Sequence, residues 1–288
     1  MAAAVAATDV AILSHLNVHP LKSGAIRPLT SAEVLPRGLA DDRSWVVVDA
    51  SGEMVSARTD RALFHVVADT PRTDPSLTSA LRLSAPGRDA LDVAEPSGDL
   101  VAVKVHHNHL HGIDAGDEAA AWIGTAIGRE DVRLLWCDDP TRRTLNPEFS
   151  QPGDHTAYAD GYPVTIANVA SLARLNDWIA EGALERGEEV PEPLPMARFR
   201  PNLVVDGPAA FAEDEWLRVR IGEVTLRRAK PTGRCMMTTI DPATLSHTKE
   251  PIRTLARHRL VDGNTLFAVH LIPETPGIIR VGDAVEFD

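Results

Sequence analysis

The chain has 288 residues, of which 44% are hydrophobic and 24% are charged, so it can form one large or two modest domains with their own cores. Its 29 basic and 41 acidic residues give a net charge of −12, which argues against nucleic-acid or anionic-membrane binding. No run approaches the roughly 18 apolar residues that span a bilayer, and residues 1–9 lack the features of a secretory signal. Two cysteines provide no disulfide framework. We therefore expect a soluble protein of the reducing cytoplasm.

The first third of the chain has the pattern of short strands and tight turns. Residues 45–49 and 54–57 form a plausible hairpin, because Gly52 can supply the turn between them. Residues 71–112 are punctuated by Pro, Ser and Asp and contain short alternating stretches. This pattern predicts a small β-barrel rather than a βαβ unit.

A cluster of four histidines, His106, His107, His109 and His111, ends this region. Three of them, at 106, 109 and 111, could converge on a metal ion in a loop. No cysteine, and no carboxylate at ligand spacing, completes such a site before Asp114. We therefore favour a solvated loop or a strand edge.

A helix is predicted over residues 114–128, where apolar side chains recur at helical spacing before a terminal glycine. Residues 132–137 follow as a strand, in which Cys137 is interpreted as a core residue. Residues 138–160 form a polar loop of a kind that often borders a site.

The remaining predicted strands are at residues 162–168, 217–221, 224–227, 266–272 and 278–287. Ser171 can cap a helix that follows the first of these strands. Residues 248–259 fit either a short helix or a mobile lid. These elements predict a mainly β second half of the chain.

The run Lys-Pro-Thr-Gly-Arg-Cys-Met-Met-Thr-Thr-Ile-Asp-Pro occupies residues 230–242. If it is extended, Gly233, Cys235 and Met237 share one face. A thiolate beside Arg234 could be a nucleophile or a soft-metal ligand. On these residues alone, a small buried hydrophobe is the stronger interpretation of Cys235.

Six motifs occur together in a fixed order: His-Pro-Leu-Lys-Ser-Gly at 19–24, Asp-Arg-Ser-Trp at 42–45, Ser-Ala-Arg at 56–58, Arg-Phe-Arg-Pro-Asn at 198–202, Gly-Arg-Cys-x-x-Thr-Thr-x-Asp-Pro at 233–242 and Pro-Gly-x-x-Arg-Val-Gly-Asp at 276–283. In this combination the chain resembles the MOSC family, in the branch of the amidoxime-reducing components and their bacterial relatives. The resemblance implies an α+β, mainly β fold. An N-terminal barrel-like lobe (residues 9–125) would pack on a C-terminal MOSC β-barrel (residues 130–288), with a cofactor cleft between them.

The resemblance also implies a molybdenum cofactor bound through its pterin, and no pyridoxal phosphate. The residues it assigns are Lys22, Ser23 and Arg43 toward the phosphate, Arg200 and Asn202 toward the pterin, Arg58, Asn168, Gly233 and Arg234 as further cofactor contacts, and Cys235 as the metal ligand. Where the animal proteins carry a tyrosine near the metal, this chain has His270. That histidine could donate a hydrogen bond or a proton during catalysis, or it could be a satisfied barrel residue.

Three functional hypotheses follow from this resemblance. The first is a molybdenum oxidoreductase that reduces amidoximes, hydroxylamines or N-hydroxylated bases. It would take electrons from a separate ferredoxin, flavoprotein or cytochrome, because the chain has no flavin motif and too few cysteines for an iron–sulfur cluster. The second is a carrier of sulfur or cofactor that uses Cys235 as the acceptor, and the third is a non-catalytic binding module. We expect a monomer.

Overall fold

The computed structural model describes residues 11–288, so the predicted domain start at residue 9 and the interpretation of residues 1–9 lie outside the described part. Its strands are β1 (Ile12–Val18), β2 (Arg27–Leu29), β3 (Ser31–Leu35), β4 (Gly38–Leu39), β5 (Trp45–Asp49), β6 (Val67–Asp69), β7 (Leu81–Ser84), β8 (Leu91–Val93), β9 (Leu100–Val105), β10 (Asn108–Asp114), β11 (Val132–Trp136), β12 (Val164–Asn168), β13 (Leu203–Asp206), β14 (Arg218–Ile221), β15 (Val224–Gly233), β16 (Leu260–Val261), β17 (Asn264–Pro273), β18 (Gly277–Arg280) and β19 (Val285–Phe287). Its helices are α1 (Asp117–Ile127), α2 (Val169–Glu185) and α3 (Ile252–His258). The mainly β prediction is confirmed.

The largest sheet closes into a barrel. Its strands follow the order β19-β14-β15-β17-β12-β13-β1, with β2 beside β1 and β16 beside β17. The N–H of Leu13 donates to the carbonyl of Asp283, and the N–H of Val285 donates to that of Ala11, which returns the ring to β1. Neighbouring strands are antiparallel except β12 and β13, which α2 connects. The interior is filled by buried Leu13, Leu16, Ile166, Val219, Leu226 and Val269.

The other lobe is built from two smaller sheets, β5-β11-β10-β9 and β6-β7-β8. Helix α1 packs on them, and its Ile123 joins a buried cluster with Trp45, Leu63 and Leu81. The helix ends where the sequence predicts, because Gly128 adopts the left-handed φ of 75° that favours glycine. This lobe therefore has its own core beside the barrel.

Strand pairing crosses the predicted boundary between residues 125 and 130. Strand β1 pairs with β13, and β3 pairs with β18, so the start of the chain completes sheets of the C-terminal half. Conversely, β11 pairs with β5 inside the N-terminal lobe. A linear division at that boundary therefore describes the chain only in part.

Two local predictions are wrong. Residues 230–242 do not form one extended run, because β15 ends at Gly233 and a 3-10 turn spans Met236–Thr239. The N-cap of α2 is Asn168, whose side-chain oxygen accepts the N–H of Ala170, rather than Ser171. Of the two alternatives for residues 248–259, the structure has the short helix, α3. No helix of the described chain is both long and apolar enough to cross a membrane.

Candidate functional site

One cavity lies between the two lobes, and we call it the interlobe cavity. Most of the residues that the sequence assigns to a site line it: Lys22, Ser23, Arg43, Arg58, Arg200, Gly233, Arg234, Cys235 and His270. They come from turns of the N-terminal lobe, from strands of the barrel and from the turns next to those strands. The structure thus brings together residues as far apart in the sequence as Lys22 and His270.

The interlobe cavity is cationic, although the whole chain carries a net charge of −12. Its walls include the cations Lys22, Arg43, Arg58, Arg198, Arg200 and Arg234. Asp160 is the single carboxylate among its lining residues in the described chain. A concentration of positive charge in a partly enclosed site attracts anions. We infer that the cavity holds an anionic ligand.

Four of the residues that line the cavity have strained backbones, and one of them is His106, with a φ of 55°. Ser23, Arg43 and Arg200 have φ values of 67°, 47° and 49°, in the left-handed region that favours glycine. Such conformations cost about 1–3 kcal/mol each and concentrate at functional sites. Each of these positions carries a side chain that lines the cavity, and glycine would not provide one.

Arg43 is held in place from both lobes. Its guanidinium donates to the Asp42 carboxylate and to the side-chain oxygen of Asn202, the latter over 3.1 Å. Asp42 also accepts the backbone N–H of His19 at 2.8 Å and meets its Nδ1 at 3.2 Å. Burial, reinforced by Arg43 and Arg200, lowers the pKa of His19 to about 3, so its ring is neutral near pH 7. The neutral Nδ1–H therefore donates to Asp42.

Asn202, which the resemblance assigns to the pterin, is not among the residues that line the interlobe cavity. Its side-chain oxygen accepts from Arg43 and from the N–H of Thr165, and its Nδ2 donates to the carbonyl of Asn17 at 3.3 Å. The side chain is fully buried, so its amide is occupied by the protein. Asn202 acts by positioning Arg43.

Asn168 also lies away from the cavity, against its predicted place near the pterin. It ends β12 and caps α2, and its Nδ2 donates to the carbonyl of Ala209 at 2.8 Å. Thr165 of the same strand does line the cavity. Residues 165 and 168 point to opposite faces of the strand, because side chains alternate along it.

Lys22 enters the cavity as a buried ammonium group. Its Nζ donates to the carbonyl of Tyr158 at 2.6 Å and to the Asp160 carboxylate at 2.7 Å. Burial lowers its pKa, and Asp160 opposes that effect. An ammonium group has three hydrogens, so one remains for a ligand. His106, at the tip of the β9–β10 hairpin, meets the same Asp160 oxygen at 2.9 Å.

Cys235 is an exposed thiol at the edge of the cavity, beside a clamped arginine. The Arg234 guanidinium donates to the carbonyls of Phe267 at 2.7 Å and Phe199 at 3.1 Å and lies within about 6 Å of both rings. Its Nη2 is buried and has no partner among the described residues. Burial lowers the pKa of Arg234 to about 10, so it remains charged at neutral pH. The arrangement fixes the chain immediately before Cys235.

Arg198 joins two of the sequence motifs, although no separate role for it was predicted. Its guanidinium contacts the carbonyl of Thr238 at 3.4 Å and the carboxylate of Asp241 at 3.3 Å. The Arg-Phe-Arg-Pro-Asn motif is thereby bonded to the turn after Cys235. Its spacing, two residues before Arg200, is the only sequence signal that could have indicated this.

His270 lies on the barrel floor of the cavity. Its Nδ1 is 3.2 Å from the hydroxyl oxygen of Thr165, and its ring centroid is 5.3 Å from that of Tyr162. Burial and the nearby Arg234 lower its pKa to about 3. The ring is therefore neutral near pH 7 and offers a single N–H. A neutral ring can donate this N–H in a hydrogen bond, which is one of the roles that the sequence analysis leaves open for His270.

Several buried or cavity-facing donors lack a protein partner within the described chain. They include the Nε atoms of Arg58 and Arg198, the Thr232 hydroxyl and the Arg234 Nη2. Among residues 11–288 the Arg200 guanidinium has no hydrogen-bond partner, and it lies 5.6 Å from the centre of the Phe64 ring. An unsatisfied buried donor costs about 1–3 kcal/mol. These donors fit a ligand rich in acceptors, such as a pterin with a phosphate group.

Of the other groups that the sequence singled out, Cys137 lies outside this arrangement, and the histidine cluster reaches the cavity through His106. Cys137 is buried, and burial raises its pKa to about 11, which agrees with a core role. Of the four histidines, His106 and His107 form the β9–β10 turn, and His109 and His111 lie exposed on β10. No group of three or more His, Cys, Asp or Glu side chains in residues 11–288 is arranged to hold a metal ion.

Comparison with known proteins places this architecture in a family. The chain matches the MOSC N-terminal beta barrel domain over residues 10–130 and the MOSC domain over residues 153–286. The chain belongs to the MOSC family. The barrel that carries Cys235 and His270 thus corresponds to the MOSC domain, completed by β1.

Full-length relatives support the same assignment. The chain is 32% identical to mitochondrial amidoxime-reducing component 1 of Mus musculus, over 96% of this chain and 82% of that protein. It is also 32% identical to mitochondrial amidoxime reducing component 2 of Bos taurus, over 96% and 83%. Separately from this assignment, the chain shows a low similarity to the crystal structure of the YUAD protein from Bacillus subtilis, at 10% identity over 96% of this chain and 94% of that chain, with a TM-score of 0.41.

Proposed function

We propose that this MOSC protein binds a molybdenum cofactor in the interlobe cavity and reduces N-hydroxylated compounds. The observation that carries the proposal is the exposed Cys235 thiol at the edge of a cavity lined by six cations. A thiolate suits a soft metal, and the cations suit a phosphorylated pterin. The names of the mouse and bovine relatives supply the reaction class, since both are amidoxime-reducing components.

In this proposal, different residues of the cavity bind the phosphate, the pterin and the metal. Lys22, Ser23 and Arg43 hold the phosphate, because they combine an ammonium, a hydroxyl and a forked guanidinium on one wall. Arg58 and Arg200 direct their unpartnered donors toward the pterin. Cys235 is the protein ligand of the metal.

The bound cofactor supplies two-electron redox chemistry, and the protein supplies position and hydrogen bonds. Reduction of an N–OH group consumes two electrons and two protons and releases water. The neutral His270 ring and the Thr165 hydroxyl face the cavity at 3.2 Å from each other. We assign them to orienting the substrate oxygen. The electrons come from a separate electron-transfer protein, and ferredoxin, flavoprotein and cytochrome donors all remain open.

The carrier hypothesis also uses an exposed Cys235, but it gives no role to His270 and Thr165, and the names of the relatives do not favour it. A cytoplasmic location and a monomeric state remain predictions from the sequence.

The direct test supplies the molybdenum-loaded protein with chemically reduced viologen and benzamidoxime and measures benzamidine. We expect turnover that Cys235→Ser abolishes, while the buried Cys137→Ser control retains it. Absence of benzamidoxime turnover by the loaded wild type would refute the reductase. Equal turnover by Cys235→Ser would refute the metal-ligand role.

A further inference from the structure

The barrel floor continues beyond His270 to a third side chain. Thr165 on β12 lies opposite His270 on β17, and His270 lies opposite Lys230 on β15. Residues directly opposite each other on neighbouring strands point to the same face, about 5 Å apart. Lys230 is therefore the next residue in the row that begins inside the interlobe cavity.

A groove follows this row out of the cavity, and we call it the Lys230 groove. It shares Asp160, Tyr162, Gly233 and His270 with the interlobe cavity, so the two spaces adjoin at these residues. Its remaining walls include the apolar side chains of Leu145, Phe149, Pro231, Val261 and Leu266. The groove can therefore take up a flat apolar group that extends from the cavity.

Lys230 brings a positive charge to this groove without an ion-pair partner among residues 11–288. Its Nζ lies 5.0 Å from the centre of the Phe149 ring and 6.0 Å from that of Tyr162. Aromatic rings hold an ammonium group without neutralising it. Asp160 and Asp262 also line the groove, but Asp160 is bonded to Lys22 and neither is paired with Lys230. Lys22 and Lys104, by contrast, each have a carboxylate partner.

We propose that the Lys230 groove binds the far end of the substrate and selects N-hydroxylated aromatic compounds that carry a carboxylate. This inference rests on the proposed reductase function and extends it to a substrate class. The N–OH group would lie beside His270, the aromatic ring along the apolar walls, and the carboxylate against the Lys230 ammonium.

The test compares benzamidoxime with 4-carboxybenzamidoxime as substrates of the molybdenum-loaded protein, with reduced viologen as electron donor. We expect the wild type to prefer the carboxylated substrate in kcat/KM. Lys230→Met should lower that preference about tenfold through KM, because a charge-assisted contact is lost. Lys230→Arg should keep much of the preference for the carboxylated substrate. Lys249→Met is the matched control, because Lys249 is exposed and lines neither space.

Two further measurements separate this inference from the proposed function. Calorimetry with the products benzamidine and 4-carboxybenzamidine should show the same dependence on Lys230 without any turnover. If benzamidoxime is reduced but Lys230→Met leaves the substrate ratio unchanged, the inference fails and the reductase stands. If neither substrate is reduced, both fail. Loss of molybdenum from Lys230→Met would assign this lysine to the cofactor and overturn the inference.

Discussion

The side-chain oxygen of Asn202 accepts a hydrogen bond from the guanidinium of Arg43 over 3.1 Å, so a barrel residue orients a cation of the other lobe. Strands from the start of the chain pair with strands of its C-terminal half, so residues of both lobes meet at one site. The hydrogen bond between Asn202 and Arg43 joins the two lobes there. It also gives Asn202 a role that differs from direct contact with a cofactor.

Asn202→Ala should therefore weaken both the fold and the cofactor site. The change leaves the Thr165 N–H and the Asn17 carbonyl without partners in a buried place, at a cost of roughly 1–3 kcal/mol for each group. Chemical denaturation should show the lower free energy of unfolding, and metal analysis should show reduced molybdenum retention. Asn202→Asp keeps the acceptor for Arg43 and should retain more molybdenum than Asn202→Ala. An unchanged unfolding free energy in Asn202→Ala would contradict this role.

Arg200→Gly should separate stability from binding. Glycine adopts the φ of 49° without strain, and within the described residues the Arg200 guanidinium has no hydrogen-bond partner that the fold would lose. We expect the cofactor-free variant to be as stable as the wild type, or up to about 1 kcal/mol more stable. Its molybdenum content should fall about tenfold, because a charged contact with the ligand is lost. Arg220→Ala, which removes an exposed arginine paired with Glu286, is the control. A destabilised variant that keeps its molybdenum would count against this account.

Lys22→Met should reduce cofactor retention and lower the free energy of unfolding modestly, because the Tyr158 carbonyl loses its donor while the exposed Asp160 carboxylate can be hydrated. The substitution keeps a chain of similar length and removes a charge whose burial is itself costly. We expect about a tenfold loss of molybdenum after dialysis, since charge-assisted contacts contribute roughly 1.5–3 kcal/mol. Lys249→Met serves again as the exposed control. Full retention by Lys22→Met would exclude Lys22 from the phosphate end.

His19 should make the protein sensitive to mild acid. In the folded state its pKa is about 3, whereas the ordinary value is 6.5, so between these values the unfolded chain binds more protons. Stability therefore falls as the pH falls through this window, by up to about 1.4 kcal/mol per pH unit for this group. His270 has a similarly lowered pKa and adds to the slope.

The variant His19→Asn retains a side-chain N–H donor toward Asp42 but cannot titrate. Urea unfolding at pH 7, 6, 5 and 4 should show a shallower loss of stability than in the wild type. His15→Asn, which changes an exposed histidine, should leave the wild-type slope unchanged. A His19→Asn slope equal to that of the wild type would refute the contribution of His19.

Much of the barrel could be predicted from local patterns. Alternating side chains at residues 218–227 indicate the β14–β15 hairpin, and Gly128 marks the end of α1. The motifs around Lys22, Arg43, Arg200 and Cys235 identify most of the cavity. They are short, and their chemistry matches an anionic, metal-bearing ligand.

The predictions were least successful for residues whose surroundings depend on strands that are distant in the sequence. The amide chemistry of Asn168 and Asn202 suits a pterin, but in the folded chain both amides hydrogen-bond to other residues of the protein. A role for Lys230 could not be predicted from the sequence either, because its position beside His270 depends on the pairing of β15 with β17. The membership of β1 in the C-terminal barrel likewise depends on a partner about 190 residues away, as the Leu13–Val205 pair shows.

Timed alkylation of Cys235, with and without bound molybdenum, tests the central claim most directly. Cys137 is the internal control, because it is buried and its raised pKa keeps it a thiol. If Cys235 is the metal ligand, it should react rapidly in the metal-free protein and slowly in the loaded protein, while Cys137 reacts slowly in both. Equally rapid labelling of Cys235 with molybdenum bound would contradict the account.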